Sequence, residues 1–300
     1  MKHLIKKYIP IQHIIKAQRL LNKHHVNKVE ALLDSFPEKK MYLSYEDLER
    51  LTKTFPKPPP YNYSLEALQN RGAKRSHEIK KIIKHDADIV KTLEIGAKDG
   101  MVSYYLNKKL NKKCTCVDLN PKPIENLSYG DTKFVKGDVC QLPFESESFD
   151  LAFSYNSFEH FHQPRKALLE MLRVLRPNGI LYLDFGPIYY APKGLHLYNK
   201  VFIPYCQLLF EFKTLEEYCL AHNLGAPKFN IGKGLSGWSI GQYRNLWNEI
   251  NQLASIDQYY ENPTYAGLKL VEKYPEYFKG KFESIDDLII TQIQIKLKKK

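Results

Sequence analysis

The sequence predicts an α/β fold, built on a doubly wound and mostly parallel sheet. Two observations carry that reading. Between residues 90 and 186, short apolar segments alternate with amphipathic helical ones, the rhythm of strands joined by crossover helices. The first three of these segments end in turns carrying Gly or Asp, and the ends of strands are where ligands bind in open α/β sheets. At 300 residues and 43% hydrophobic, the chain can fill a sizeable core.

Taken in order, residues 1 to about 55 have helical spacing, and "FPKPPPYNY" (55–63) breaks it, because consecutive prolines lack amide donors and force an extended backbone. Residues 1–63 are therefore expected to be a helical N-terminal extension with a Pro-rich linker, and 64–300 the main domain. Helical spacing resumes at Ser64, with Leu65, Leu68, Ile79, Ile82 and Ile83 as the expected buried face. Strands follow at "VKTLEI" (90–95), "CTCVDL" (114–119), "TKFVKG" (132–137), "FDLAFS" (149–154) and "GILYLDFG" (179–186). The helices between them are expected over about Met101–Leu110, near Pro121–Leu127 and through "PRKALLEMLRVL" (164–175). After Pro187 the rhythm stops, and an aromatic insertion over about 187–263 takes its place, too aromatic for disorder and well placed to cover a substrate. "AGLKLVEKY" and "LIITQIQIKLK" (288–298) then read as a closing hairpin of two strands at the sheet edge.

The formal charge of +12 selects no partner by itself. Near the N-terminus, Lys6, Lys7, Lys16, Arg19, Lys23 and Lys28 interleave with Ile5, Ile9, Ile14, Ile15, Leu20 and Leu21, a basic amphipathic pattern suited to weak contact with an anionic membrane surface. A helix packed on the main domain fits the same pattern better, since Pro10 interrupts the first turns and no aromatic anchor follows. Charges recur too often there for a signal peptide or membrane span, so a cytoplasmic protein is expected. The five cysteines, at 114, 116, 140, 206 and 219, lack zinc-type spacing; reduced thiols and no metal are expected, with Cys114 and Cys116 packed on one face of a strand.

The strand ends carry the chemistry. Glu94-Ile95-Gly96-Ala97-Lys98-Asp99-Gly100 leads into a helix whose N-terminal amides favour an anionic group; Gly96 permits a tight turn and Gly100 lets the helix approach. Asp118 ends the second strand, where a carboxylate can accept both hydroxyls of a ribose, which suits a nicotinamide dinucleotide and S-adenosylmethionine equally. Asp138 ends the third and can accept from an adenine amino group, while Val139 offers its backbone amide. A dinucleotide fold needs the full G-x-G-x-x-G, and Lys98 breaks it.

Together, "LEIGAKDG", "VDLN", "GDVCQLPFESESFDLAFSYNSFEHF" and "RVLRPNGILYLDFGP" resemble the successive motifs of class I S-adenosylmethionine-dependent methyltransferases of the small-molecule type, over roughly residues 90–186. The resemblance implies a Rossmann-like seven-stranded sheet and S-adenosyl-L-methionine as cofactor. It implies that Glu94, Gly96 and Gly100 hold the methionine end, Asp118 the ribose, and Asp138 and Val139 the adenine, with Leu119 a further cofactor contact. Ser154, Tyr155 and Asn156 would line the space near the methyl group, Tyr155 toward the cofactor and Asn156 toward the acceptor. The family pattern is E-x-G-x-G-x-G, and Lys98 stands at its middle glycine, where a left-handed backbone costs lysine about 1 to 2 kcal/mol.

A hydroxyl acceptor needs a base. His160, in "NSFEHF", and His196, among Tyr189, Tyr190 and Tyr198, are the catalytic candidates, and each can equally be a locally bonded structural histidine. Tyr189 and Tyr198 suit stacking on a ring or sugar face, and Asp184 suits a substrate hydroxyl. The expected acceptor is a hydroxyl of a small molecule or saccharide. The fourth strand is followed by "SYNSF" instead of an N-P-P-Y type motif, and no nucleic-acid module is visible, which argues against a nucleic-acid partner. An RNA or other polyanion methyltransferase, and an inactive interaction subunit, are the competing readings; oligomeric state is not legible.

Overall fold

In the computed structural model the described residues are 11–57, 59, 61–84, 88–197 and 199–300, with 11–16 described by backbone only. The strands are β1 (Lys91–Ile95), β2 (Lys113–Asp118), β3 (Lys133–Lys136), β4 (Phe149–Tyr155), β5 (Leu175–Phe185), the two-residue partners β6 (Asn230–Ile231) and β7 (Gly234–Leu235), β8 (Ala254–Pro263) and β9 (Ile290–Lys299). The framing helices are α1 (Ile11–Asp34), α2 (Tyr45–Thr52), α3 (Leu65–Ile82), α4 (Met101–Leu110) and α5 (Pro164–Val174). Seven strands form one sheet in the order β3-β2-β1-β4-β5-β9-β8, parallel through β5 and antiparallel at β9 and β8. From β1 the chain crosses outward to β2 and β3, and from β4 it crosses the other way to β5. The order thus reverses between β1 and β4, and a crevice opens at their carboxyl ends.

The period of two along β4 builds both layers. Leu151, Phe153 and Tyr155 join Ile79 and Ile83 of the α3 region and Val102 and Leu106 of α4 in one core. Ala152 faces the opposite core, where α5 buries Ala167, Leu168, Met171, Leu172 and Val174 at helical spacing. Cys114 and Cys116 are both buried on the face shared with Thr92 and Glu94.

Most of the aromatic insertion fills this second core: Tyr205, Phe210, Tyr243 and Trp247 are buried there. The N-terminal helices join it, with Val29, Leu33, Leu48 and Leu51 buried in the same cluster and the Leu43 amide donating to Leu209 O at 2.8 Å. Of the basic stripe, Ile5, Lys6, Lys7 and Ile9 lie outside the described residues; Leu20 and Leu21 are exposed, and Arg19 reaches back to Glu261 at 2.8 Å. Among the described residues no helix is long and apolar enough to cross a membrane.

Three expectations are corrected. Residues 121–127 form no helix, because Pro121 and Pro123 lack amides and bias their predecessors away from helical backbone. Residues 268–273 are helical, and the penultimate strand is β8, so the insertion ends before Ala254 and a second excursion separates β8 from β9. β8 escaped notice because an edge strand that is exposed along much of its length needs no apolar alternation. Leu65 is exposed, since the first turns of α3 project past the sheet over the crevice, where Leu68 and Arg71 line the opening.

A buried charge cluster ties the edge together. Glu261 of β8 accepts from Arg244 at 2.7 Å through each oxygen, from Tyr259 at 2.6 Å and from Arg19 at 2.8 Å. Burial alone would raise its pKa, yet Arg244, Tyr259 and Arg19 outweigh it and hold the carboxyl below its ordinary range. Arg244→Ala, which leaves that carboxylate to Tyr259 and Arg19 alone, is expected to cost about 2 kcal/mol in denaturant unfolding; a loss under half of that would show the Arg244 contacts to be structurally idle.

Candidate active site

The turn after β1 has left-handed backbone at Gly96 (φ 69), Lys98 (φ 43) and Gly100 (φ 67). A Cβ at Gly96 would lie 2.3 Å from Ser157 Oγ, and one at Gly100 2.7 Å from the Phe134 ring, so neither position accepts a side chain. Lys98 is the outlier: its amide donates to Asp118 at 3.0 Å, and its exposed side chain reaches toward the Tyr63 ring, Nζ 5.6 Å from the centroid. Lys98→Gly should therefore stabilise the fold by about 0.5 to 1 kcal/mol, after glycine's greater unfolded entropy is counted. Equal or lower stability in thermal unfolding would mean that the Tyr63 contact outweighs backbone strain.

A cleft of about 720 Å³ opens over this turn. Asp118 borders it from β2, its two oxygens accepting the Lys98 and Asn120 amides at 3.0 and 2.8 Å. Leu119 sits exposed at its mouth. Asp138 and Val139 border it beyond β3, with Asp138 Oδ1 oriented by the Cys140 amide at 2.8 Å. Tyr155 and Asn156 border it from the end of β4; the Tyr155 ring lies under Arg75 at 4.7 Å, and Asn156 is exposed with φ 50. Tyr61, Tyr63, Arg71 and Arg75 form a wall that the sequence reading did not foresee, although aromatic residues directly after a Pro-rich break were a usable signal.

Glu94 is buried and accepts the Ser103 amide of α4 at 2.8 Å. Burial pushes its pKa up to about 7, against the pull of that hydrogen bond. The native state therefore keeps this proton up to about pH 7, whereas the unfolded carboxyl releases it near 4.5, and stability falls as pH rises across that window. Glu94→Gln should gain stability relative to the native chain between pH 4.5 and 7.5 in parallel melts; a difference that stays flat with pH would refute the burial effect.

Beyond β4, the turn Phe158–His160 is anchored by Phe158, packed against Phe185, Tyr243 and Trp247 with centroids 5.0, 6.1 and 5.8 Å away. His160 borders the cleft, its Nδ1 2.6 Å from Gly234 O, and its ring centroid is 4.7 Å from that of His196. Burial lowers the pKa of His160; burial and then the neighbouring His160 lower that of His196 to about 4, so both rings are neutral at pH 7. His196 borders a second cavity of about 450 Å³ with apolar walls that include Pro56, Pro192, Leu195, Phe202 and Ile203.

Two expected substrate contacts are displaced. Asp184 is buried and accepts from Gln292 and Gln294 on β9, so its carboxylate is spent across the sheet. Tyr189 lines neither cavity; it packs edge-on to Tyr190 at 5.1 Å beside the core. Tyr198 lies outside the described residues.

Residues 93–183 match the family model of a methyltransferase domain. Over 128 residues the chain is 37% identical to demethylmenaquinone methyltransferase of Clavibacter sepedonicus, covering 42% of this chain and 48% of that one. Over 101 residues it is 35% identical to phthiotriol/phenolphthiotriol dimycocerosates methyltransferase of Mycobacterium leprae, covering 32% and 37%. The chain thus spans less than half the length of these two relatives. Phosphoethanolamine N-methyltransferase 2 of Haemonchus contortus, solved with S-adenosyl-L-methionine, overlaps 86% of this chain and 60% of that one at 13% identity and a TM-score of 0.47. The strand order and the family match over residues 93–183 make this part of the chain similar to the domain of class I S-adenosylmethionine-dependent methyltransferases.

Proposed function

We propose that the chain transfers a methyl group from S-adenosylmethionine to a hydroxyl of a small molecule with an apolar body, releasing S-adenosylhomocysteine. One observation carries this reading: Asp118, Asp138 and the Gly96–Gly100 turn converge on a single cleft of about 720 Å³, room enough for a nucleoside with an amino-acid tail. The donor set fits that group, with one carboxylate for a ribose diol, a second for an adenine amine, and α4 presenting its amides to a carboxylate.

When bound, S-adenosylmethionine would supply an electrophilic methyl carbon on a sulfonium, which the acceptor oxygen would take with loss of its proton to solvent while the sulfur keeps the electron pair of the broken bond. This chain's own residues align and desolvate the partners. Glu94 fixes α4 through the Ser103 amide, and Asp118 is held in orientation by two backbone amides. The neutral imidazoles of His160 and His196 stand between the cleft and the second cavity. The apolar walls of that cavity favour a hydrophobic acceptor over a saccharide.

Calorimetric titration with S-adenosylmethionine tests this. The native chain is expected to bind, and Asp118→Ala to weaken binding by about tenfold or more, the worth of charge-assisted hydrogen bonds to a ribose. A folded native chain that does not bind would overturn the reading and leave an interaction subunit in its place.

A further inference from the structure

We infer that Glu159, His160 and His196 form a binding site for a divalent transition-metal cation between the cofactor cleft and the apolar cavity. One ligand atom from each of the three lies within 4.8 Å of the others. Glu159 is 2% exposed, and among the described residues neither of its carboxylate oxygens has a hydrogen-bond partner. The backbone amides of Glu159 and Gly186 lie near enough to draw its pKa down slightly, but burial dominates and pushes it up to about 8. A carboxyl buried this way without a partner is costly unless a cation or proton neutralises it.

The histidines are oriented as metal ligands commonly are, each with one ring nitrogen tied to a backbone carbonyl. His160 Nδ1 meets Gly234 O at 2.6 Å, which leaves the lone pair on Nε2, 3.9 Å from Glu159 Oε1. His196 Nε2 meets Pro187 O at 3.0 Å, which places its lone pair on Nδ1. Two ligands about 2.1 Å from a tetrahedral ion stand about 3.4 Å apart, so an adjustment of about half an ångström brings the first pair to bonding distance. The turn is otherwise rigid, locked by Phe158 in the aromatic core and by the Ser236 amide on Glu159 O at 3.0 Å.

Two imidazoles and one carboxylate suit a first-row divalent transition metal, and three protein ligands leave a position open for an oxygen. The role of that position rests on the proposed methyl transfer: the cation would take the acceptor's hydroxyl and lower its pKa, its proton passing to bulk water, and the two histidines would hold the ion instead of acting as bases. Asp138, Cys140 and His162 are also mutually close, but Asp138 already accepts the Cys140 amide and no orphaned buried group points there.

The test is titration of Co²⁺ into the chelator-treated full chain, followed by calorimetry and by visible d–d absorption, with S-adenosylmethionine titrated in parallel. The native chain is expected to take up one equivalent, and Glu159→Gln and His196→Gln to lose at least about tenfold in Co²⁺ affinity, with S-adenosylmethionine affinity kept. A native chain that binds S-adenosylmethionine but no Co²⁺ overturns the metal site alone. Co²⁺ affinity unchanged in both variants puts the ion elsewhere and overturns it too. Co²⁺ uptake lost in the variants, with no S-adenosylmethionine binding by the native chain, supports the site and removes the proposed methyl transfer.

Discussion

The reversal of strand order between β1 and β4 is the constraint on which the site depends. Parallel neighbours whose crossovers leave in opposite directions cannot be bridged at their carboxyl ends, so two turns must line the gap. Those turns touch. Ser154 Oγ donates to Ile95 O at 2.8 Å, and the space a side chain at Gly96 would need is filled by Ser157. The loop after β1 and the loop after β4 are therefore one packed unit, and a change in either shifts both.

Two buried carboxyls mark the two halves of this unit, and their surroundings differ. Glu94 has the Ser103 amide and serves as a brace between β1 and α4. Among the described residues the Glu159 carboxylate has no hydrogen-bond partner at full bonding geometry, and it faces two imidazoles. Both have raised pKa values for the same reason, desolvation, yet the first is answered within the protein and the second is not. The aromatic insertion contributes chiefly beneath this arrangement. By packing Tyr243 and Trp247 against Phe158, opposite Phe185 of β5, it holds the turn that carries Glu159 and His160.

The parts of this architecture legible in the sequence were those where backbone conformation restricts residue choice. Gly96 and Gly100 occupy left-handed positions that exclude side chains, and Asp118 and Asp138 stand at strand ends spaced by the crossovers. What stayed hidden depended on distant partners or on the lack of periodicity. Asp184 looked like a strand-end acid free for substrate, but its partners Gln292 and Gln294 arrive on a strand more than a hundred residues later. β8 is exposed over residues 255–258 and so showed no apolar alternation. His160 and His196 were each picked out singly, whereas their meeting with Glu159 depends on a left-handed residue at 196 and on the β6–β7 ribbon, neither of which spacing reveals.

The central claim is that the crevice at the switch point is a methyl-donor site. A crystal structure of the chain with S-adenosylhomocysteine tests it most directly. The account predicts ribose hydroxyls on Asp118, adenine beside Asp138 and Val139, and the sulfur directed toward Asn156 and His160. A ligand bound elsewhere, or inverted so that the adenine meets the Gly96–Gly100 turn, would contradict it.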